Sequence, residues 1–216
     1  MHNFRGYDHH LIVKALNKVG RKIHVIPTNS ERYLSVFVDN LKFIDSLQFM
    51  NASLSDLVEN LESKGWDGFS ILEQVFGSKA SLLTRKGVFP YDYIDSWKRF
   101  DEPCLPPKKL FYNKLTKTPL SSPDYKYGKL IFKAFKKKNL GKYHDLYLLC
   151  DTILLACVFE QFRKMSLENF NLDPVHYLTA PGLVWDAALK MSGVKLDLLM
   201  DVDKYVFFEH GIRGRN

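Results

Sequence analysis

Ile23-His24-Val25-Ile26-Pro27-Thr28-Asn29-Ser30-Glu31-Arg32-Tyr33-Leu34-Ser35-Val36-Phe37-Val38-Asp39-Asn40-Leu41-Lys42-Phe43-Ile44-Asp45-Ser46-Leu47 is the stretch on which the fold class turns. Three runs rich in β-branched and aromatic residues, 23–26, 33–38 and 41–47, read as strands. Pro27-Thr28-Asn29-Ser30 breaks the first from the second, and Asp39-Asn40 predicts a tight hairpin between the second and third. Upstream, residues 9–19 place apolar side chains at helical spacing and stop at Gly20. Downstream, Ser53-Leu54-Ser55-Asp56 reads as a helix start, with Leu54, Leu57, Val58 and Leu61 on one face. Helix, strands, helix in that order predicts an α/β domain.

From Gly65 to Pro123 the pattern weakens into a connection rich in proline and aromatic residues, long enough to suggest a function of its own. Helices are expected again over 124–138, 143–169 and 181–192, and Tyr205–Phe208 reads as a short strand. Domain boundaries are placed at 1–170 and 171–216.

The 216 residues suffice for a sizeable core, and 46% hydrophobic with 25% charged residues excludes disorder for most of the chain. Cys104, Cys150 and Cys157 match no zinc spacing and form no fully paired disulfide set, which points to an intracellular, reducing compartment. No apolar leader follows Met1, and the longest apolar run, 146–159, is interrupted by Asp151 and too short to span a bilayer. No membrane partner is expected. Thirty-one Lys and Arg against 24 Asp and Glu give +7, which fits a polyanion-binding surface without requiring one.

Asp151 is the strongest anomaly. An ionised carboxylate inside Tyr147-Leu148-Leu149-Cys150-Asp151-Thr152-Ile153-Leu154-Leu155 costs several kcal/mol unless a cation, metal or set of donors compensates it. Tyr147 lies one helical turn earlier on the same face, so phenol and carboxylate stand side by side, suited to a metal ion and the water it activates. The plain alternative is an Asp bonded to a neighbouring hydroxyl or Arg. A second acid, Asp8, follows Asn3-Phe4-Arg5-Gly6-Tyr7 at the start of the first helix, where the macrodipole alone would favour it.

Seven lysines (126, 129, 133, 136, 137, 138 and 142) occur between 126 and 142 with no acid among them. Leu130, Ile131, Ala134 and Phe135 interleave, predicting a helix with one basic face, either solvated or able to follow a phosphate backbone; Lys133, Lys136 and Lys137 are candidate DNA contacts. Tyr91, Tyr93 and Trp97 either stack on unpaired bases or pack the long connection.

Taken together, Asn3-x-x-x-Tyr7-Asp8 and Tyr147-x-x-x-Asp151 resemble the second and third exonuclease motifs of family B DNA polymerases. Between them, Ser46-Leu47-Gln48-Phe49-Met50 resembles the Ser/Thr-Leu-x-x-hydrophobic motif of protein-primed members, and Lys86-Gly87-Val88-Phe89 their Lys-x-x-hydrophobic motif. Gly211-Ile212-Arg213-Gly214-Arg215 is similar to the Tyr-x-Gly-Gly/Ala link between exonuclease and polymerase domains, with Ile212 and Arg215 departing from it. Tyr143-His144-Asp145-Leu146-Tyr147 and Tyr177-Leu178-Thr179-Ala180-Pro181-Gly182-Leu183-Val184-Trp185-Asp186 resemble polymerases of Polinton-type mobile elements and related viruses.

The resemblance implies a ribonuclease-H-like 3′–5′ exonuclease domain using two divalent ions, Mg²⁺ or Mn²⁺, within a DNA-directed DNA polymerase. Asp8 and Asp151 would bind metal, Tyr147 would orient the attacking water and Lys86 would lie near the scissile phosphate. Asn3, Ser46 and Leu47 would contact the single-stranded primer end, and Arg213 and Gly214 would guide DNA. Implied partners are DNA, deoxynucleotides and a terminal protein. The family's Asp-x-Glu motif precedes the second motif and its palm motifs follow the link. The chain is therefore expected to be a fragment without the opening strands of that fold, ending in a helical linker to an absent palm, and inactive alone. The rival expectation is a non-catalytic DNA-binding module of a decayed mobile element.

Overall fold

A computed structural model describes all residues except 7, 19, 30, 31, 64, 65 and 212–216. It is mixed α/β and predominantly helical, with one small antiparallel sheet of order β1-β2-β3. β1 (Ile23–Pro27) pairs with β2 (Tyr33–Val38), and β2 turns through Asp39-Asn40 into β3 (Leu41–Phe43), with Val38 opposite Leu41. Asp39 adopts φ 49°, the left-handed region that Asp and Asn tolerate best after glycine, as the short hairpin requires. α1 (Asp8–Lys18) lays Ile12, Val13 and Leu16 on one face of the sheet, closing a small core around Phe4, Val36 and Val38. The third predicted strand ends at Phe43: Asp45 accepts from the Leu47 amide, and 46–48 turn into a 3-10 helix instead.

The larger core lies among the helices. α5 (Leu140–Phe170) runs through it, contacted by α2 (Leu54–Glu62) and α3 (Ser70–Phe76). Leu72, Leu140 and Leu154 are fully buried there, each contributing roughly 2 kcal/mol by removal from water. Ser53, Ser121 and Asn139 cap α2, α4 (Ser122–Ala134) and α5 through their side-chain oxygens, satisfying amides that the helices leave open. The basic helix expected over 124–138 stops at Ala134. Lys136 takes φ 48° and the Lys137 amide donates to the Phe132 carbonyl, so the chain turns before α5 begins.

The connection expected to be irregular over 65–123 holds α3 and five short 3-10 segments. Tyrosine hydroxyls fasten it to the helices. Tyr127 donates to the Leu82 carbonyl at 2.9 Å, Tyr143 to Val88 at 2.8 Å and Tyr125 to Pro106 at 3.1 Å. Beyond α5, Arg163 forks onto both carboxylate oxygens of Asp173 at 3.0 and 2.6 Å, and α6 (Ala180–Ser192) packs back on α5. Residues 205–208 are helical, not a strand, within α7 (Val202–Gly211). The Asp201 carboxylate accepts from the Lys204 amide at its start, and this local cap outweighs the β-preference of Val206-Phe207-Phe208. No helix is long and apolar enough to cross a membrane among the described residues.

Candidate functional site

Tyr147 and Asp151 fall one turn apart on α5, as their spacing predicts, and the segment 83–91 crosses the same face. Gly87 makes that crossing possible: a Cβ there would lie 2.9 Å from the Tyr147 ring. Phe89 and Tyr91 then pack their rings on Tyr147, at 5.4 and 6.0 Å between centroids. The Tyr91 and Tyr147 hydroxyls meet at 2.5 Å. Lys86, half-buried, is close enough to favour the charged form of Asp151.

Asp151 carries the site's electrostatic tension. Burial raises its pKa, and the opposing pull of Lys86 and a hydrogen bond from Tyr147 does not cancel that effect. Its Oδ1 is buried with no hydrogen-bond partner. Tyr147 is pushed well above the usual phenol range by burial, by the Asp151 charge and by Tyr91. One phenolic proton cannot serve two acceptors, so the arrangement that satisfies both neighbours has Tyr147 donating to Asp151 and accepting from Tyr91. Alongside lies a cleft of about 660 Å³, lined by Lys86, Phe89, Tyr91, Tyr112, Asp124 and Tyr147 among others.

An acceptor-only oxygen left bare in the interior is what a cation would satisfy, so Asp151 fits a divalent metal as one ligand. Asp8 opens α1 on another part of the molecule's N-terminal layer. Its charge acts on the Met1 amino group, as does that of Asp45, and Met1 lines a cavity with Thr152 of α5. Among the described residues, no three or more His, Cys, Asp or Glu side chains are grouped to hold a metal ion.

The remaining predicted residues divide. Asn3 is exposed at φ 59° with its side chain against Gly6. Ser46 is buried, not a free hydroxyl: it donates to the Met1 carbonyl at 2.8 Å and lies 3.1 Å from His2 Nδ1. Leu47 is half-buried beside it. Lys133 and Lys136 are exposed, whereas Lys137 is half-buried and turned so that its charge acts on Cys150. Arg213 and Gly214 lie outside the described residues.

Two contributors escape a motif reading. Asp45, buried to 1% exposure, accepts from the Arg5 and Leu47 amides at 3.0 and 3.1 Å and pins the N-terminal segment to the sheet's end. Tyr91 becomes part of the site only through Tyr147, 56 residues away; in the sequence it stands only as an aromatic that either stacks on bases or packs the long connection. Compared with protein-family models, curated proteins and solved structures, the chain matches none.

Proposed function

We propose that this chain carries part of a 3′–5′ exonuclease domain of ribonuclease-H-like type from a protein-primed family B DNA polymerase, running from the second exonuclease motif to the link with the polymerase domain. The observation that carries this reading is Asp151: a half-buried carboxylate whose Oδ1 is buried and bare, one turn from Tyr147 and within the field of Lys86, two residues that line a cleft. A fold maintains such an uncompensated acid at a cost, and sites of that kind cluster where chemistry occurs. The small antiparallel sheet covered by α1, with Asp8 at its start, supports the α/β half of the reading.

Asp151, with Asp8, would hold Mg²⁺ or Mn²⁺; bound there, the ion would supply an activated water and a clamp on the phosphodiester oxygens. The protein's own part is positioning. Tyr147, fixed between Tyr91 and Asp151, presents its hydroxyl to the nucleophile's position. Lys86 offsets charge developing on the phosphate. With two carboxylates in hand, the isolated chain degrades no single-stranded oligonucleotide, and in the parent the substrates are DNA and deoxynucleotides.

Manganese titration followed by electron paramagnetic resonance tests the reading: the chain should bind Mn²⁺ more tightly than Asp151→Asn. Equal affinities would mean a vestigial site. They would favour the second reading, a non-catalytic DNA-binding module, for which the exposed Lys133, Lys136 and Lys138 speak.

A further inference from the structure

Of Tyr91, Tyr93 and Trp97, the three aromatic residues the sequence offers for stacking, two are engaged. Tyr91 bonds Tyr147, and Tyr93 donates to Glu102 at 2.7 and 2.9 Å while the Arg99 guanidinium covers its ring. Trp97 is 86% exposed. An indole left that bare on a segment with no buried residue of its own is costly surface, yet its position is fixed. It begins the 3-10 segment Trp97–Asp101, braced by Arg99 on Asp95 and Glu102 and by the Leu140 amide on the Glu102 carbonyl at 2.8 Å.

That brace sets Trp97 beside the lysine-rich turn. Its ring lies 5.7 Å from that of Phe100, which in turn rests against Gly141 closely enough that a Cβ there would come within 3.2 Å. Immediately before Gly141 the chain presents Lys136 and Lys138, both exposed, and immediately after it Lys142. Lys98 adds a fourth exposed cation. The acids of this face are largely spent: Asp95 and Glu102 on Arg99, Asp145 on Lys142, leaving Asp101. A bare indole on this braced segment, with exposed Lys98 beside it in the chain and exposed Lys136 and Lys138 on the adjoining turn, has the chemistry to stack an unpaired base and hold its neighbouring phosphates.

We infer that Trp97, with Lys136 and Lys138, forms a subsite for single-stranded nucleic acid at the α4–α5 turn, apart from the Asp151 cleft. It rests on the nucleic-acid half of the reading above and not on its chemistry. Duplex DNA offers no free base face, so discrimination between strands is the property that separates stacking from plain charge attraction.

Fluorescence anisotropy of a labelled oligothymidylate with the whole chain tests this at low salt. Trp97→Ala should weaken binding roughly tenfold and Trp97→Phe should restore most of it, while affinity for a duplex of the same length stays unchanged. Lys136→Glu with Lys138→Glu should flatten the salt dependence by about two phosphate contacts. Trp97 is exposed, so these variants fold, and circular dichroism checks it. Oligothymidylate affinity unchanged in Trp97→Ala, or no binding by the parent chain, overturns the subsite. So does self-association abolished by Trp97→Ala without change in oligonucleotide affinity, which would make Trp97 an interface between protein copies. The oligothymidylate assay contains no divalent metal, so it reads the Trp97 subsite independently of the manganese titration. A failed manganese test together with a surviving Trp97 effect therefore removes the nuclease reading and keeps the subsite.

Discussion

The hydroxyls of Tyr91 and Tyr147 meet at 2.5 Å on the face of α5 where Asp151 keeps one bare oxygen. Tyr147 is the donor that eases ionisation of Asp151, and Tyr91 acts only through it. Tyr147→Phe should therefore raise the pKa of Asp151 further, and Tyr91→Phe should shift it less. A carboxyl-carbon NMR titration reads both. Coincident midpoints in the parent chain and Tyr147→Phe would refute the donor assignment.

Asp151 itself should weaken the fold. Its pKa is raised by folding, so its protonated form favours the folded state. Stability is greatest below the unfolded carboxylate value of about 4 and falls as pH rises through the folded value. Asp151→Asn, which cannot ionise, should melt higher than the parent chain at neutral pH by about 1 kcal/mol, the gap closing as pH drops toward 4. A variant equal to or less stable than the parent at neutral pH would show that the carboxylate is compensated in a way the geometry does not reveal.

Gly87→Ala probes the crossing of segment 83–91 over α5. The added methyl would press on a Tyr147 ring already held by Phe89 and Tyr91, so it has no free direction to yield. Overpacking of this kind costs about 1–3 kcal/mol, and the thermal midpoint should fall accordingly. A silent substitution would mean that segment 83–91 lifts off α5 easily.

What could be read from the sequence was local. The Ser53 cap, the Asp39-Asn40 hairpin and the Tyr147–Asp151 spacing each depend on residues within a turn of one another, and each stands as expected. The misses have two physical sources. Val206-Phe207-Phe208 reads as a strand by β-preference alone, but the cap at Asp201 starts a helix at Val202, four residues before Val206. The lysine-rich helix looked continuous because nothing in its periodicity marks the left-handed Lys136 that ends it and sends Lys137 inward. Tyr91 and Gly87 gain their roles from a meeting with α5 that only the tertiary fold creates.

The Arg163–Asp173 fork ties α5 to the segment that follows it, and it should govern acid sensitivity there. Arg163 holds the Asp173 carboxyl down at about 2, below the ordinary value, with a further bond from the Val175 amide. A carboxylate depressed in the folded state contributes stability above its unfolded pKa near 4 and loses it as pH falls toward 2. Both side chains are partly exposed, 29% for Arg163 and 18% for Asp173, so solvent screening reduces the effect to about 1–2 kcal/mol. Asp173→Asn keeps an oxygen for the Val175 amide and removes only the charge, which isolates the ion pair from the cap. Urea unfolding at neutral pH should show the variant less stable by that amount, and the difference should shrink as pH falls from about 4 through about 2, where the parent carboxylate is half protonated. A difference that persisted unchanged across this range would assign the loss to packing rather than to charge.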